Sequence, residues 1–283
     1  MIRHAPSIGL GIGLSLRGSG GVGFSGLLDQ YGGASAAYSL RSLSSGWLAG
    51  DVVEVRRDAD GATGIIHKSF TGGEINSGAM LAWVTEFSGT ANGFVSTWYD
   101  QSGFANNATQ ATTTAQPKIV DAGALVTGGI EFDGVDDLLS NGSLTLGATV
   151  TAYSVTNSTA KGNSSFIYSI NGTSGIVDFT DPSGFASIFA GTSLKASTDI
   201  SGVDVLKSSL FNGANSNIRV NGASVVTGTS STQLANGTLV IGGGGSVPDR
   251  MLGTIKEIII YDSDQSANRT GIEANINAAY SIY

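Results

Sequence analysis

The sequence predicts an all-β fold, and its composition leads to that prediction. The 283 residues include 42 glycines and four prolines, which indicates many turns and bulges between short strands, as sandwiches and barrels require. Hydrophobic residues make up 41% and charged residues only 13%, and the rest is largely Gly, Ser, Thr and Asn. A chain of this length can bury a sizeable core.

The charge balance and the lack of cysteine exclude several kinds of partner and site. The net charge of −8 argues against nucleic acid, because a phosphate backbone is bound chiefly by clustered Lys and Arg. Without cysteine there is no disulfide, thiolate metal site or cysteine nucleophile, which favours folding in a reducing cytoplasm. No apolar run approaches the roughly 18 residues that span a bilayer, so we expect neither a membrane segment nor a signal peptide.

Residues 1–33 are predicted to form an extended, Gly-rich N-terminal arm. Apolar side chains alternate with other residues, mostly Gly or Ser, at Ile8, Leu10, Ile12, Leu14 and Leu16, so one face of the arm is apolar. The arm has little of its own to pack on. It either adds a strand to the main domain or docks on a neighbouring subunit, and we favour docking.

Residues 34–87 are predicted to contain both helix and strand. The mixed spacing of residues 34–45 suggests a short helix or turn, and residues 51–57 and 63–67 read as strands around the turn Asp60-Gly61. A better helix follows at residues 76–87, where Asn76 can cap. An apolar stripe at helical spacing supports this helix, formed by Met80, Trp83, Val84 and Phe87.

From residue 94 onward the pattern is strand and turn. Strands are predicted at 94–99, 117–120, 129–133, 144–156, 165–170, 175–179, 186–190, 203–211, 216–220, 223–227, 237–242 and 253–261. Asn221-Gly222 is a strong hairpin signal because both residues tolerate positive φ, and Asn171-Gly172 and Asn141-Gly142 are similar. A terminal helix follows from about residue 263. No linker divides residues 34–283, so they are predicted to form one domain.

Four segments together resemble the catalytic domain of the α-L-arabinofuranosidase B family. They read AAYSLRSLSS, VVEVRRDADG, GFVSTWYDQSGFANNATQ and IEFDGVDDLL, and the most specific is the YDQSG motif, residues 99–103. The resemblance implies a concanavalin-like (laminin-G-like) jelly-roll sandwich. It covers residues 34 to the end of the chain.

The same resemblance implies a catalytic pair of carboxylates, because glycoside cleavage needs two across the scissile bond. The enzymes' CCFDYGNAE-like segment corresponds to residues 164–172, which puts Ile167 at the substrate-binding aspartate and Gly172 at the nucleophile. Their acid/base aspartate follows an IGG sequence, but here Gly244 follows and the next carboxylate is Asp249. We therefore expect that the catalytic site is lost and that the protein is not an enzyme.

Candidate ligand-binding positions outside that pair are few. Trp47 can stack on a sugar, and a second group offers either glycan contacts or a loop framework: Asp100, Gln101 and Asn107. For Asp100 we favour capping of its own loop. Oxygen ligands for calcium are present at Asp133, Asp136 and Asp137, although the Asp133-Gly134 pair is equally a plain turn. No other cofactor is predicted.

These features together predict a non-enzymatic virion protein of a tailed phage, because jelly rolls without the catalytic residues, preceded by a Gly/Ser-rich arm, resemble phage accessory proteins. It would be a head decoration, fibre or tail appendage, made in the host cytoplasm and located in the virion. Residues 1–33 would bind other virion proteins, and the domain would face host surface glycan, with the chain a homo-oligomer. Two alternatives stay open: a stand-alone glycan-binding lectin, or a glycosidase with relocated carboxylates at Asp178, Asp181 or Asp249.

Overall fold

The computed structural model describes residues 24–47, 50–67, 75–159, 162–231, 236–244 and 249–283. Within these ranges the chain forms 21 strands and three α-helices, which confirms the predicted all-β class with a few short helices. The helices are α1 (Leu27–Gln30), α2 (Ser77–Val84) and α3 (Arg269–Tyr280). None of the helices in this part of the chain has the length and apolar character needed to cross a membrane.

The strands are mostly short, and they occupy the described chain from Ala34 to Tyr261. The first ten are β1 (Ala34–Ser39), β2 (Asp51–Arg57), β3 (Thr63–His67), β4 (Gly93–Trp98), β5 (Ala108–Thr109), β6 (Lys118–Asp121), β7 (Ala124–Leu125), β8 (Ile130–Asp133), β9 (Leu139–Ser140) and β10 (Leu144–Thr145). The others are β11 (Val150–Ser158), β12 (Ser165–Ile170), β13 (Ile176–Thr180), β14 (Phe185–Phe189), β15 (Ser193–Asp199), β16 (Asp204–Phe211), β17 (Gly213–Val220), β18 (Ala223–Ser230), β19 (Asn236–Gly237), β20 (Leu239–Ile241) and β21 (Leu252–Tyr261).

The strands pair antiparallel in two layers, as a jelly-roll sandwich requires. In one layer β21 pairs with β11, and β16, β17 and β18 follow in that order. On its other edge β21 pairs with β8 through its first half and with β1 through its second half. The other layer runs from β15 through β14, β13, β12, β20, β9, β5 and β4 to β2 and β3.

Two hydrophobic clusters fill the fold, one between the layers and one outside them. The larger includes Trp98, Phe132 and Ile258, and the smaller packs β1, β11 and β21 against α1 and α3. Strand β16 shows how the layers divide its side chains: Val205 and Phe211 belong to the inner cluster, while Leu206 belongs to the outer one. Because side chains alternate along a strand, Lys207 faces the sandwich interior with Val205.

The prediction for residues 34–45 was wrong, because β1 is a strand rather than a helix or turn. Ala36 and Tyr38 face the inner cluster, and Ala34 and Ala37 face the outer one. A strand that is buried on both faces loses the polar alternation that reveals a strand in sequence. The strand predictions also need correction: residues 144–156 form β10 and β11, and residues 237–242 contain the end of β19 and all of β20. Four strands had not been predicted: β5, β7, β9 and β15.

Several local predictions are confirmed. Asn76 caps α2, accepting a hydrogen bond from the Ala79 N–H at 3.1 Å, and Asn221 and Gly222 both have positive φ in the hairpin between β17 and β18. The terminal helix is α3. The predicted apolar stripe is wrong at its last residue, because Phe87 lies beyond the end of α2 and its side chain is 64% exposed.

Part of the predicted N-terminal arm packs on the domain. Residues 1–23 lie outside the described residues, so the docking prediction stays a prediction for them. In α1, Leu27 is fully buried in the outer cluster, and the Leu28 N–H donates to the Leu43 carbonyl at 2.7 Å. Residues 24–33 therefore belong structurally with the jelly roll.

Candidate functional site

One end of the sandwich gathers the carboxyl groups of interest, and we call it the acidic end: Asp133, Asp136, Asp137 and Asp249, with Arg250. Two connections contribute to it: residues 134–138, between β8 and β9, and the described residues 242–244 and 249–251, between β20 and β21. Because β8 pairs with β21 and β9 pairs with β20, these connections begin and end side by side. The first residues of β12 lie at the same end.

The two segments that the resemblance marks for catalysis are neighbours in the structure. β12 and β20 are paired, with Tyr168 opposite Ile241. The Gly242 N–H donates to the Ile167 carbonyl at 2.9 Å, and the Ser169 hydroxyl donates to the Gly243 carbonyl at 3.0 Å. Residues 164–169 thus meet residues 241–244 at the acidic end. Gly172 follows the opposite end of β12 and does not join them.

Asp249 is the carboxyl group that this junction offers. Its side chain is partly exposed and accepts a hydrogen bond from the Ser164 backbone. Burial raises the pKa of Asp249, against the opposing effects of that hydrogen bond and of Arg250. A carboxyl group that holds its proton to higher pH is what a general acid requires.

Gly244 is glycine because the site has no room for a side chain there. A Cβ at Gly244 would lie 2.4 Å from the ring of Phe166. Arg250 reaches the same stretch and donates from Nη1 to the Gly244 carbonyl at 3.0 Å. The position directly after the Ile241–Gly243 stretch therefore cannot carry a carboxylate, and Asp249 is the first residue that does.

The acidic turn, residues 133–137, forms the other side of the acidic end. Asp133 accepts from the Val135 N–H at 2.7 Å, and Asp137 accepts from the Asp133 N–H at 3.0 Å. Burial raises the pKa of Asp137 to about 7, and the charges of Asp133 and Asp136 add to the effect. Asp136 is exposed, and its carboxylate forms no hydrogen bond or ion pair with another of the described residues.

The acidic turn contains the three residues that were predicted as calcium ligands. One carboxylate oxygen from each of Asp133, Asp136 and Asp137 lies within 4.8 Å of the others. Oxygen donors of this kind suit a hard cation. Two of the three carboxylates already accept backbone hydrogen bonds of the turn, as a plain turn requires, so calcium binding stays a prediction.

The other carboxylates considered for catalysis are held by the protein itself. Asp178 is 1% exposed and forms an ion pair with Lys207 at 2.6 Å inside the sandwich. Asp181 pairs with Lys195 and accepts from the N–H groups of Ser183 and Phe185 at 2.8 and 2.9 Å. Of Asp178, Asp181 and Asp249, only Asp249 lies at the acidic end with part of its surface open to solvent.

The YDQSG loop, which we define as residues 99–107, is held against β1 by hydrogen bonds of its own polar side chains. Asp100 is buried and accepts from the N–H groups of Ala37, Ser102 and Asn106 at 2.8 to 3.0 Å. Gln101 accepts from the Leu43 N–H and donates to the carbonyls of Ser39 and Arg41. Asn107 accepts from the Asp100 N–H at 3.0 Å. These contacts are those of a loop framework; glycan binding by the same residues stays a prediction.

Trp47 belongs to the segment that precedes β2. Its indole N–H donates to the Asp51 carbonyl at 3.1 Å, and its ring is partly exposed beside Gly50. The contact fixes the ring against its own loop. Sugar stacking by Trp47 stays a prediction.

The catalytic potential of the acidic end was not predicted from the sequence. Asp133, Asp136 and Asp137 were predicted as cation ligands or as a plain turn, and no local pattern pairs them with Asp249, 112 positions after Asp137 in the numbering. The sequence did predict that a strand ends at Asp133. The strand that pairs with β8 could not be predicted, because strand pairing depends on long-range register, which local sequence patterns do not contain.

Comparisons with solved structures place this fold among arabinofuranosidases. A GH54 α-L-arabinofuranosidase soaked with a cyclic sulfate inhibitor matches with a TM-score of 0.69 and 18% identity, over 87% of this chain and 63% of the other. An arabinofuranosidase complexed with arabinofuranosyl-α-1,2-xylobiose gives 0.67 and 18%, over 87% and 62%. A point mutant of a GH54 enzyme, soaked with 4-nitrophenyl α-L-arabinofuranoside, gives 0.68 and 17%, over 87% and 63%.

These likenesses establish the fold, and the chain spans less than two thirds of the length of those enzymes. No protein-family model matches the chain, and no curated protein matches its sequence. The comparisons agree with the arabinofuranosidase-like jelly roll that the motifs suggested. They do not test the laminin-G resemblance.

The comparisons contradict two predictions, the non-enzymatic phage protein and the absence of enzymatic activity. The three compared structures that share this fold over 87% of the chain are arabinofuranosidases. Both predictions rested on missing carboxylates at Gly172 and Gly244, whereas the structure offers others at the acidic end. The predicted virion partners and location depended on the phage interpretation and are not carried further.

Proposed function

We propose that this protein is a glycoside hydrolase that acts on α-L-arabinofuranosides at the acidic end of the sandwich. One observation carries the proposal: Asp249, with a pKa raised by burial, lies against Ser164 where the first residues of β12 meet the end of β20. The compared arabinofuranosidases suggest the substrate class. Asp249 donates the proton to the leaving-group oxygen.

The second carboxylate of the reaction comes from the acidic turn. Asp136 is exposed, and its carboxylate forms no hydrogen bond or ion pair with other described residues, so it is available to a substrate. Asp137 beside it is largely protonated below about pH 7, so it adds little negative charge next to Asp136. Asp136 acts as nucleophile if the two carboxyl groups approach within about 5–5.5 Å, or as base toward water if they stay farther apart.

The test is hydrolysis of 4-nitrophenyl α-L-arabinofuranoside, the compound in one of the compared structures. We expect release of 4-nitrophenol by the wild-type protein and slower release by Asp249→Asn. The loss should stay below the full effect of about 10²–10⁴-fold, because 4-nitrophenolate leaves with little help from a proton donor. Asp264→Asn is the matched control, because Asp264 follows the far end of β21 and caps only its own turn through the Ser266 N–H. No release by wild-type protein, or equal rates in Asp249→Asn and Asp264→Asn, would overturn the proposal.

A further inference from the structure

The YDQSG loop turns two of its residues outward over a cavity that no catalytic group reaches. The cavity has a volume of about 310 Å³ and is lined by Ser35, Phe104, Asn106, Ser143, Leu144 and Thr145. It lies at the end of the sandwich opposite Asp249. The strand pairing shows this. β4, β5, β9 and β20 are neighbours, and each pair is antiparallel, so β4 and β20 run in opposite directions. The YDQSG loop follows β4 and Asp249 follows β20, so they lie at opposite ends.

Phe104 is the apolar surface of this cavity. Its ring is 68% exposed, and no buried cluster includes it. An aromatic ring offers a large, rigid apolar surface to a ligand. The face of an aromatic ring suits the C–H face of a sugar, which is apolar while its rim is polar.

Several polar side-chain atoms around the ring form no hydrogen bond with the described part of the chain. Asn106 donates from Nδ2 to the Ser35 carbonyl, which leaves its Oδ1 free, and the side-chain hydroxyls of Ser35, Ser143 and Thr145 make no hydrogen bond there. Amide and hydroxyl groups both donate and accept, as sugar hydroxyls do. None of the lining residues is charged, so the cavity suits a neutral ligand.

The loop is held rigidly in this shape before any ligand binds. Asp100 fastens it from inside, and the Tyr38 hydroxyl donates to the Asn106 carbonyl. Ala105, between the two outward residues, has φ +57°, a conformation that costs a non-glycine residue about 1–2 kcal/mol. Backbone strain of this kind clusters at binding sites, where it fixes a side chain in position. Here it positions Phe104 and Asn106 over the cavity.

We propose that this cavity, the Phe104 cavity, binds a neutral oligosaccharide, separately from the acidic end. Phe104 stacks on one sugar ring, and Asn106 and the surrounding hydroxyls take up its hydroxyl groups. The cavity volume is at the lower limit of ligand pockets, about 300 Å³, and fits one or two sugar units. The chain would hold a glycan at one end and act on it at the other, although binding at this cavity does not depend on hydrolysis.

The test is calorimetric titration of full-length Asp249→Asn protein with α-1,5-linked arabinotriose, which we expect that variant to hydrolyse at least about 10²-fold more slowly than the wild type. We expect saturable binding that weakens at least about tenfold in Phe104→Ala, a change of ~1.4 kcal/mol. Phe87→Ala is the matched control, because Phe87 is also exposed, at 64%, but lies after α2 and away from the cavity.

Two outcomes would overturn the inference. One is no saturable binding at millimolar arabinotriose; the other is equal affinity of Phe104→Ala and Phe87→Ala. A second variant, Asn106→Ser, keeps the test valid if Phe104→Ala fails to fold, and it should also weaken binding. Hydrolysis by the wild-type protein is measured separately, so failure of the inference and failure of the proposed activity remain distinguishable.

Discussion

The ammonium group of Lys207 lies 2.6 Å from Asp178 Oδ1, and both side chains are withdrawn from solvent inside the sandwich. Lys207 also donates to the carbonyls of Phe179 and Ser187, and the Ser209 hydroxyl donates to Asp178 Oδ2. Burial lowers the pKa of Lys207, and the negative charge of Asp178 opposes that shift. Both carboxylate oxygens of Asp178 therefore have partners inside the protein, as does the ammonium group of Lys207, which is why Asp178 is unavailable for catalysis.

Removing only the lysine leaves a buried negative charge. We expect Lys207→Met to lower the free energy of unfolding by about 3–5 kcal/mol, the usual cost of breaking a buried ion pair. The double variant Lys207→Met/Asp178→Asn should recover at least half of that loss, because no uncompensated charge remains. Chemical denaturation of the two proteins measures both values. Equal stability of the single and the double variant would contradict this account of the pair.

Asp137 makes stability depend on pH. Its pKa is raised to about 7 in the folded protein and is near its ordinary value of 3.8 in the unfolded chain. Between these values the folded state binds more protons, so the free energy of unfolding falls as the pH rises from about 4 to 7. Asp137→Asn should be roughly 1–3 kcal/mol more stable than wild type at pH 8, with little difference at pH 4. Parallel denaturation curves at the two pH values test this, and an equal difference at both would contradict it.

The framework of the YDQSG loop depends on Asp100. Asp100→Ala leaves the buried N–H groups of Ala37 and Asn106 without an acceptor, each worth about 1–3 kcal/mol. We expect a loss of roughly 2–4 kcal/mol in the free energy of unfolding. Asp121→Ala is the control, because its exposed pair with Lys118 should contribute at most ~1 kcal/mol. Similar losses in the two variants would show that Asp100 does not hold the loop.

The close approach of Phe166 explains Gly244, and a methyl group tests it. Gly244→Ala places a Cβ 2.4 Å from the ring and should cost about 1–3 kcal/mol of stability through overpacking. Gly142→Ala is the matched control, since its Cβ would meet nothing within 4 Å and its φ is not positive. Thermal unfolding compares them. A Gly244→Ala protein as stable as Gly142→Ala would mean that Phe166 does not exclude a side chain.

Much of the fold was predictable because its local patterns are strong. The hairpin at Asn221-Gly222, the capped helix α2 and the apolar strand β21 each carry a signal within a few residues. β1 was missed because its neighbours on both faces, α3 and the inner layer, are distant in sequence. Burial on both faces removed the alternation on which strand prediction depends.

The candidate site was less predictable than the fold. The family resemblance indicated Gly172 and Gly244 as the counterparts of the catalytic carboxylates. Which carboxyl groups meet depends instead on the packing of Phe166 and on the register of β12 against β20. Asp249 is identified by its burial and its hydrogen bond to Ser164, and neither is visible in the sequence. Strand pairing within each layer, not spacing along the chain, assembles the acidic end.

The leaving group tests the role of Asp249 as general acid most directly. Phenyl α-L-arabinofuranoside needs protonation of its leaving oxygen much more than the 4-nitrophenyl compound does. We predict that Asp249→Asn lowers kcat/KM by about 10²–10⁴-fold on the phenyl compound and clearly less on the 4-nitrophenyl compound, whereas Asp136→Asn lowers both alike. Equal kcat/KM of wild type and Asp249→Asn on the phenyl compound, or no turnover of either compound by the wild-type protein, would contradict the account.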